Sequence, residues 1–117
     1  MIHLILAEAA LELIPEELHR HPAVKAHSKK LKKPPSKILL DSNYHYRAMQ
    51  DFDIWDKRGR PDIIHFCLLN ALGSPLNLSG NLRVYIHTIN LEVIEIDPST
   101  RLPRNYDRFK GLMEQLL

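Results

Sequence analysis

KRGRPDIIHFCLLNALGSP, residues 57–75, joins a basic turn to a segment with almost no polar side. Pro61 fits the first position of a helix, where a missing N–H costs nothing. Asp62 suits the positive end of the helix dipole in the first turn. Ile63, Ile64, Phe66, Cys67, Leu68, Leu69, Ala71 and Leu72 then point in nearly every direction around the axis. That pattern predicts a central helix, covered on all sides, which Gly73, Ser74 and Pro75 end. A buried helix has little use for charge at its start. Lys57, Arg58 and Arg60, gathered around Gly59, therefore raise the question of what outside the fold they serve.

Downstream, LRVYIHT (82–88) and LEVIEID (91–97) alternate and are rich in β-branched residues, which predicts a β-hairpin or two adjacent strands. Val84, Ile86 and Thr88 share one face of the first; Ile94 and Ile96 share one face of the second, opposite Val93. NYDRFKGLMEQLL (105–117) reads as an amphipathic helix with Tyr106, Phe109, Leu112, Met113 and Leu116 in its apolar stripe. Upstream, residues 2–11 open with a short apolar run that reads as a buried first strand, and residues 12–33 as helix broken or restarted near Pro22. KKPPS is a loop. Ser36 is a possible cap, with a short strand at 38–40 and a helical turn after Asp41. A length of 117 residues predicts a single domain with one core, spanning residues 1–117.

The chain is 44% hydrophobic and 26% charged, which excludes disordered and collagen-like classes. No apolar run is long enough to span a bilayer. Residues 1–14 lack the basic start of a signal peptide, and Glu8 and Glu12 interrupt them, so they are read as structure. The single Cys67 can form no intrachain disulfide, which fits a reducing, intracellular and hence cytoplasmic setting with no membrane partner.

The formal net charge is only +2, but its distribution is uneven. Arg20, Lys25, Lys29, Lys30, Lys32, Lys33 and Lys37 follow one another with no acid between them. Such asymmetry points to a polyanion, with nucleic acid first; a solvated helix face is the plainer reading. There is no glycine-rich phosphate loop, no H-E-x-x-H and no cysteine pair, and His19, His21 and His27 lack ligand spacing. Metal and nucleophile chemistry therefore have nothing to rest on.

Two arginine clusters remain. In the first, a helix N-terminus offers free N–H groups to an anion, Arg58 and Arg60 add charge, Gly59 allows close approach, and Asp62 can orient the Arg60 fork. A solvated turn with a first-turn acid explains the same residues. In the second, Arg101, Arg104 and Arg108 are spaced three and four apart. With a helix starting near Arg104, they form an arc suited to following a phosphate backbone; ion pairing with Asp97, Asp107 or Glu114 is the alternative.

R-P-D-I-x-H at 60–65, together with R-x-P-R-x-x-x-R-F-x-G-L-M-x-Q-L-L at 101–117, closely resembles the rRNA pseudouridine-N1-specific methyltransferase family of ribosome biogenesis, within the SPOUT (α/β-knot) superfamily. LLNALGSPLN and LRVYIHT add to the resemblance, which covers nearly the whole chain and looks archaeal in type. The resemblance implies a Rossmann-like α/β core, here its N-terminal part with a β-hairpin-containing extension. It also implies a homodimer, S-adenosylmethionine as methyl donor, and a pseudouridine in a small-subunit rRNA hairpin, met on a pre-ribosomal particle. By motif position, Arg60 and Asp62 lie at the target base as catalytic residues. Arg60, Arg101, Arg104 and Arg108 bind RNA. The cofactor-binding knot is expected after residue 117, so no cofactor contact is assigned here. A non-catalytic rRNA-binding assembly factor is the alternative function.

Overall fold

The computed structural model describes residues 1–117. A three-stranded sheet, in the order β1 (Ile2–Ala9), β2 (Leu82–Thr88), β3 (Val93–Ile96), is packed by helices. β1 and β2 run parallel, with Leu4 opposite Val84. The register shifts between Leu6 and Ala9, where Glu8 takes φ 48°. β2 and β3 form the expected hairpin, with Tyr85 opposite Glu95. The sheet is thus mixed. Its parallel pair is joined by a long crossover carrying α1 (Pro22–Leu31), α2 (Ser42–Met49), α3 (Pro61–Leu72) and the single turn α4 (Pro75–Leu78). α5 (Tyr106–Leu116) closes the chain.

Two apolar clusters hold these layers. Leu82, Val84 and Ile86 of β2 meet Ile64 and Leu68 of α3 and Phe109 and Met113 of α5. A second cluster lies beneath α1 and α2, where Ile14, Val24, Ile38, Leu40 and Met49 pack together. Full burial of each such side chain contributes about 1.5–3 kcal/mol.

Local chemistry sets the element ends. His21 Nδ1 accepts from the Ala23 N–H ahead of Pro22, so the first α-helix starts at Pro22 and only a 3₁₀ turn at Glu16–Leu18 precedes it. The helical reading of residues 12–21 is corrected accordingly. Ser36 caps nothing; it sits in a 3₁₀ turn, and Asp41 caps α2 by accepting from the Asn43 N–H. The expected strand at 38–40 reduces to one bridge between Leu39 and Leu13.

Two burial expectations are also corrected. β1 is a strand but not a buried one: it lies at the sheet edge, and Ile2, Leu4 and Ile5 are exposed. α3 keeps its boundaries, yet only its Ile64, Leu68, Ala71 and Leu72 side is covered. Phe66 is 69% exposed, and Ile63 is exposed beside it. The all-round apolar pattern is real, but within residues 1–117 nothing packs against its second side.

Candidate nucleic-acid interface

The basic turn divides into an inward half and an outward half. Arg58 turns inward. Its Nε donates to Glu12 Oε2 at 2.8 Å and its Nη2 to Glu12 Oε1 at 2.5 Å, while its guanidinium lies 4.3 Å from the centre of the Phe52 ring. Glu12 is only 1% exposed, so Arg58 neutralises a buried carboxylate and is not free for a ligand. Gly59 is likewise structural. It takes φ +68°, its carbonyl accepts from the Ser42 N–H, and a Cβ there would stand 2.9 Å from Met49 Cε. Close approach at Gly59 serves α2 and the core rather than an anion.

Arg60 turns outward. Its backbone N–H donates to the Ala10 carbonyl, which fixes the turn against the end of β1. Its Nε and Nη2 donate to the two oxygens of Asp62, both at 3.0 Å, a fork-on-fork pair. The two side chains are 45% and 48% exposed. Hydrogen bonding from Arg60 holds the Asp62 carboxyl below the usual carboxylate range. The expected Arg60–Asp62 pairing is present, at the open start of α3.

The second arginine cluster is brought to the same region by His65, one turn further along α3. His65 Nε2 donates to the Pro103 carbonyl at 2.7 Å, and its ring stacks on Phe109 with centroids 4.5 Å apart. Segment 101–104 is thereby fastened to the helix that carries Asp62. Asn105, not Arg104, caps α5, its Oδ1 accepting from the Arg108 N–H. Arg104 therefore precedes the helix, which corrects the shared helical face. Arg101, Arg104 and Arg108 are all exposed. The ion pairs of the molecule are Lys33–Glu114, Arg58–Glu12, Arg60–Asp62 and Lys110–Asp41, so none of these three arginines is paired.

Sequence reasoning missed the buried polar network behind this surface. Asp41 Oδ2 accepts from Tyr106 Oη at 2.9 Å and from Lys110 Nζ at 3.1 Å, binding α5 to α2. The Asp41 N–H donates to His45 Nδ1, so the Nε2 of neutral His45 carries the proton and donates to His27 Nδ1 at 2.9 Å. His27 in turn stacks on Tyr44, centroids 4.2 Å apart. Burial pushes the His45 pKa down to about 4, with His27 adding to the effect. Burial, then the Asp41 charge and hydrogen bond, push the Tyr106 hydroxyl well above its ordinary range. The one available signal was Asp41 ahead of a helical turn, a capping pattern whose side chain has a second oxygen to spare.

An open groove of about 510 Å³ runs between the end of β1 and the start of α3. Ile5, Ile63 and Cys67 line it, and Arg60 stands at its edge. No helix of the molecule is long and apolar enough to cross a membrane.

Comparison with known proteins is direct. A family model described as EMG1/NEP1 methyltransferase matches residues 4–117. The chain is 58% identical over 116 residues to the ribosomal RNA small subunit methyltransferase Nep1 of Thermococcus sibiricus, covering 99% of this chain and 53% of that protein. It is 58% identical over 115 residues to the protein of the same name from Pyrococcus furiosus, covering 98% of this chain and 52% of the relative. The crystal structure of Archaeoglobus fulgidus Nep1 bound to S-adenosylhomocysteine superposes with a TM-score of 0.92 at 51% identity, covering 97% of this chain and 51% of that one. The chain thus spans about half the length of the curated relatives it matches. On a match from residue 4 to residue 117, with archaeal relatives more than half identical, the chain belongs to the EMG1/NEP1 methyltransferase family.

Proposed function

We propose that residues 1–117 form the N-terminal part of an S-adenosylmethionine-dependent SPOUT methyltransferase that methylates N1 of a pseudouridine in small-subunit rRNA during ribosome biogenesis. The observation that carries the reading is the exposed, fork-paired Arg60–Asp62 at the start of α3, with three unpaired arginines fastened beside it through His65. Relatives of about twice this length bear the name of rRNA methyltransferases, and the Archaeoglobus structure holds S-adenosylhomocysteine. In this reading the protein works in the cytoplasm on a pre-ribosomal particle, as a homodimer.

No contact with the methyl donor is assigned within residues 1–117. The groove between β1 and α3 is open, and Glu8, Asp56, Lys57 and Arg60 line it beside its apolar side chains. The donor site and knot are assigned to the half of the relatives' length that this chain does not span, and no step through the donor is derived from these residues. The bare side of β1 and α3, with Ile5, Ile63 and Phe66 exposed, suits contact with that half.

What these residues can do concerns the acceptor. Pseudouridine is a C-glycoside, so its N1 bears a proton that uridine lacks. That N–H must lose its proton for N1 to act as nucleophile, and negative charge spreads onto the ring. Arg60 stabilises that charge; Asp62 fixes the Arg60 fork in the orientation to do so. Asp62 is a poor general base, since its depressed pKa lies far from that of the N–H. The base must leave its stack to reach this point, and Arg101, Arg104 and Arg108 hold the flanking phosphates while it does.

The experiment is single-turnover methylation of a pseudouridine-bearing rRNA hairpin by the natural full-length protein, beside the same hairpin with uridine. Methylation of pseudouridine alone is expected. Asp62→Asn should lower the rate by about 10²–10³, equivalent to about 2.7–4 kcal/mol in the transition state, with a much smaller change in RNA affinity. A normal rate with a slightly lower melting temperature would return Asp62 to the role of first-turn helix acid. Binding without methylation by the unaltered protein would favour the second reading, a non-catalytic rRNA-binding assembly factor.

A further inference from the structure

The lysine-rich stretch at residues 25–37 takes no part in the site just described. Two of its lysines, Lys30 and Lys33, line a trough between α1 and α2. An upper cavity of about 480 Å³ has Ala23, Ala26 and Lys30 on the α1 side and Asn43, Tyr46 and Arg47 on the α2 side. A lower cavity of about 460 Å³ continues it past Lys30 and Tyr44 to Asp107, Lys110 and Gly111 of α5. His27, Lys30 and Tyr44 line both, so the two adjoin across the His27–Tyr44 stack. Its lower end reaches the turn of α5 that carries Arg108.

The trough is cationic and open. Lys30 and Arg47 are exposed and make no ion pair, as are Lys25 and Lys29 further along α1. The other cations there are accounted for: Lys33 pairs with Glu114, and Lys110 with Asp41. Asp107 is the one carboxylate on the lining without an ion pair, and it lies at the α5 end, in the first turn of its helix. Tyr46 is 51% exposed, and Tyr44 is held in place by its stack on His27. Small residues, Ala23, Ala26 and Gly111, line the depression at points where a bulky side chain would fill it. Unpaired cations, amide and phenol groups along a shallow, small-residue channel fit a sugar–phosphate backbone, which needs charge at intervals and room between.

We propose that this trough binds the single-stranded RNA that flanks the target hairpin, extending the track of Arg101, Arg104 and Arg108 onto α1 and α2 with Lys30 and Arg47 as the phosphate contacts. The inference rests on the rRNA-binding function proposed above. It identifies a second contact region, some way along the chain of the substrate, whose role is affinity and register rather than chemistry.

The test uses the natural full-length protein and two RNAs: the hairpin alone, and the same hairpin with single-stranded extensions on both sides. Binding is measured across a series of salt concentrations for the unaltered protein, for Lys30→Gln/Arg47→Gln, and for Arg101→Ala/Arg104→Ala/Arg108→Ala. The Lys30/Arg47 variant should bind the extended RNA more weakly, with a log–log salt slope shallower by about 1.4–1.8 for two lost contacts. It should bind the bare hairpin as before and melt at the same temperature. Unchanged affinity for the extended RNA overturns the proposal and leaves the trough to a protein partner. Equal loss on both RNAs overturns it too, as a general polyanion effect. If only the triple arginine variant loses binding, the trough falls while the RNA-binding function stands; if neither variant does, both fall.

Discussion

The turn at residues 57–62 and the segment at residues 101–108 are the two arginine-rich regions of the molecule, and they use their charge in opposite ways. In the first, every arginine has a carboxylate: Arg58 has the buried Glu12, and Arg60 has Asp62. In the second, Arg101, Arg104 and Arg108 have none. Density of positive charge therefore does not by itself mark a ligand site. What the carboxylate does decides the outcome. A buried partner turns arginine into scaffold, an exposed bidentate partner aims it, and the lack of a partner leaves it for phosphate.

The comparison breaks most visibly at Arg58. Arg58→Met leaves the Glu12 carboxylate buried and uncompensated, and should cost about 3–5 kcal/mol in denaturant unfolding. Arg58→Met/Glu12→Leu should regain most of that loss, because no lone charge remains. A single variant as stable as the parent would return Arg58 to the candidate binding residues.

The buried side of the paired region predicts a pH effect of intermediate size. At neutral pH His45 is uncharged in both the folded and the unfolded chain. As pH falls below about 6.5 the unfolded chain takes up a proton there, which the folded chain accepts only near the depressed pKa of about 4. Stability should thus decline through that window, by about 3 kcal/mol in full for this group. The His27 pKa is also lowered, chiefly by burial, and acts in the same direction. Melting curves between pH 4 and 7 for the parent and for His45→Asn measure it: the variant should show a shallower decline.

The smallest effect on stability belongs to the unpaired region. Arg101→Ala, Arg104→Ala and Arg108→Ala should each change unfolding by no more than about 0.5 kcal/mol. Each should nonetheless flatten the salt dependence of RNA binding by about 0.7–0.9 in log–log slope. A large loss of stability with an unchanged slope would show that these arginines are held as firmly as Arg58.

Periodicity and end signals made much of the fold legible. The boundaries of α3 followed from Pro61 and Gly73, and the hairpin from alternation at 82–96. The pairing of β1 with β2 was not legible, because parallel partners lie far apart in sequence and no local pattern names them. Nor was the burial of β1 and α3: an apolar residue shows what it would avoid, not whether a neighbour is present to cover it. The R-P-D turn was found as a motif, and its Arg60–Asp62 pair was as expected. The separation of Arg58 from Arg60 was hidden, since Glu12 lies 46 residues upstream. So was the Asp41 network, whose partners Tyr106 and Lys110 read as helix stripe and helix surface until α5 is docked.

The parallel register of β1 also bears on the order in which the chain is made. Ile2 finds its partner at Leu82, so once made β1 waits for some 80 further residues before it can pair. At synthesis rates of about 5–20 residues per second, that is about 4–16 s. During that interval an apolar strand, with Ile2, Leu4 and Ile5 unsheltered, has both edges open. The helices α1, α2 and α3 emerge meanwhile and can form locally, but the sheet cannot. Translation speed between β1 and the end of β2, and whatever shields a nascent strand, therefore act on the yield of this fold before its stability does.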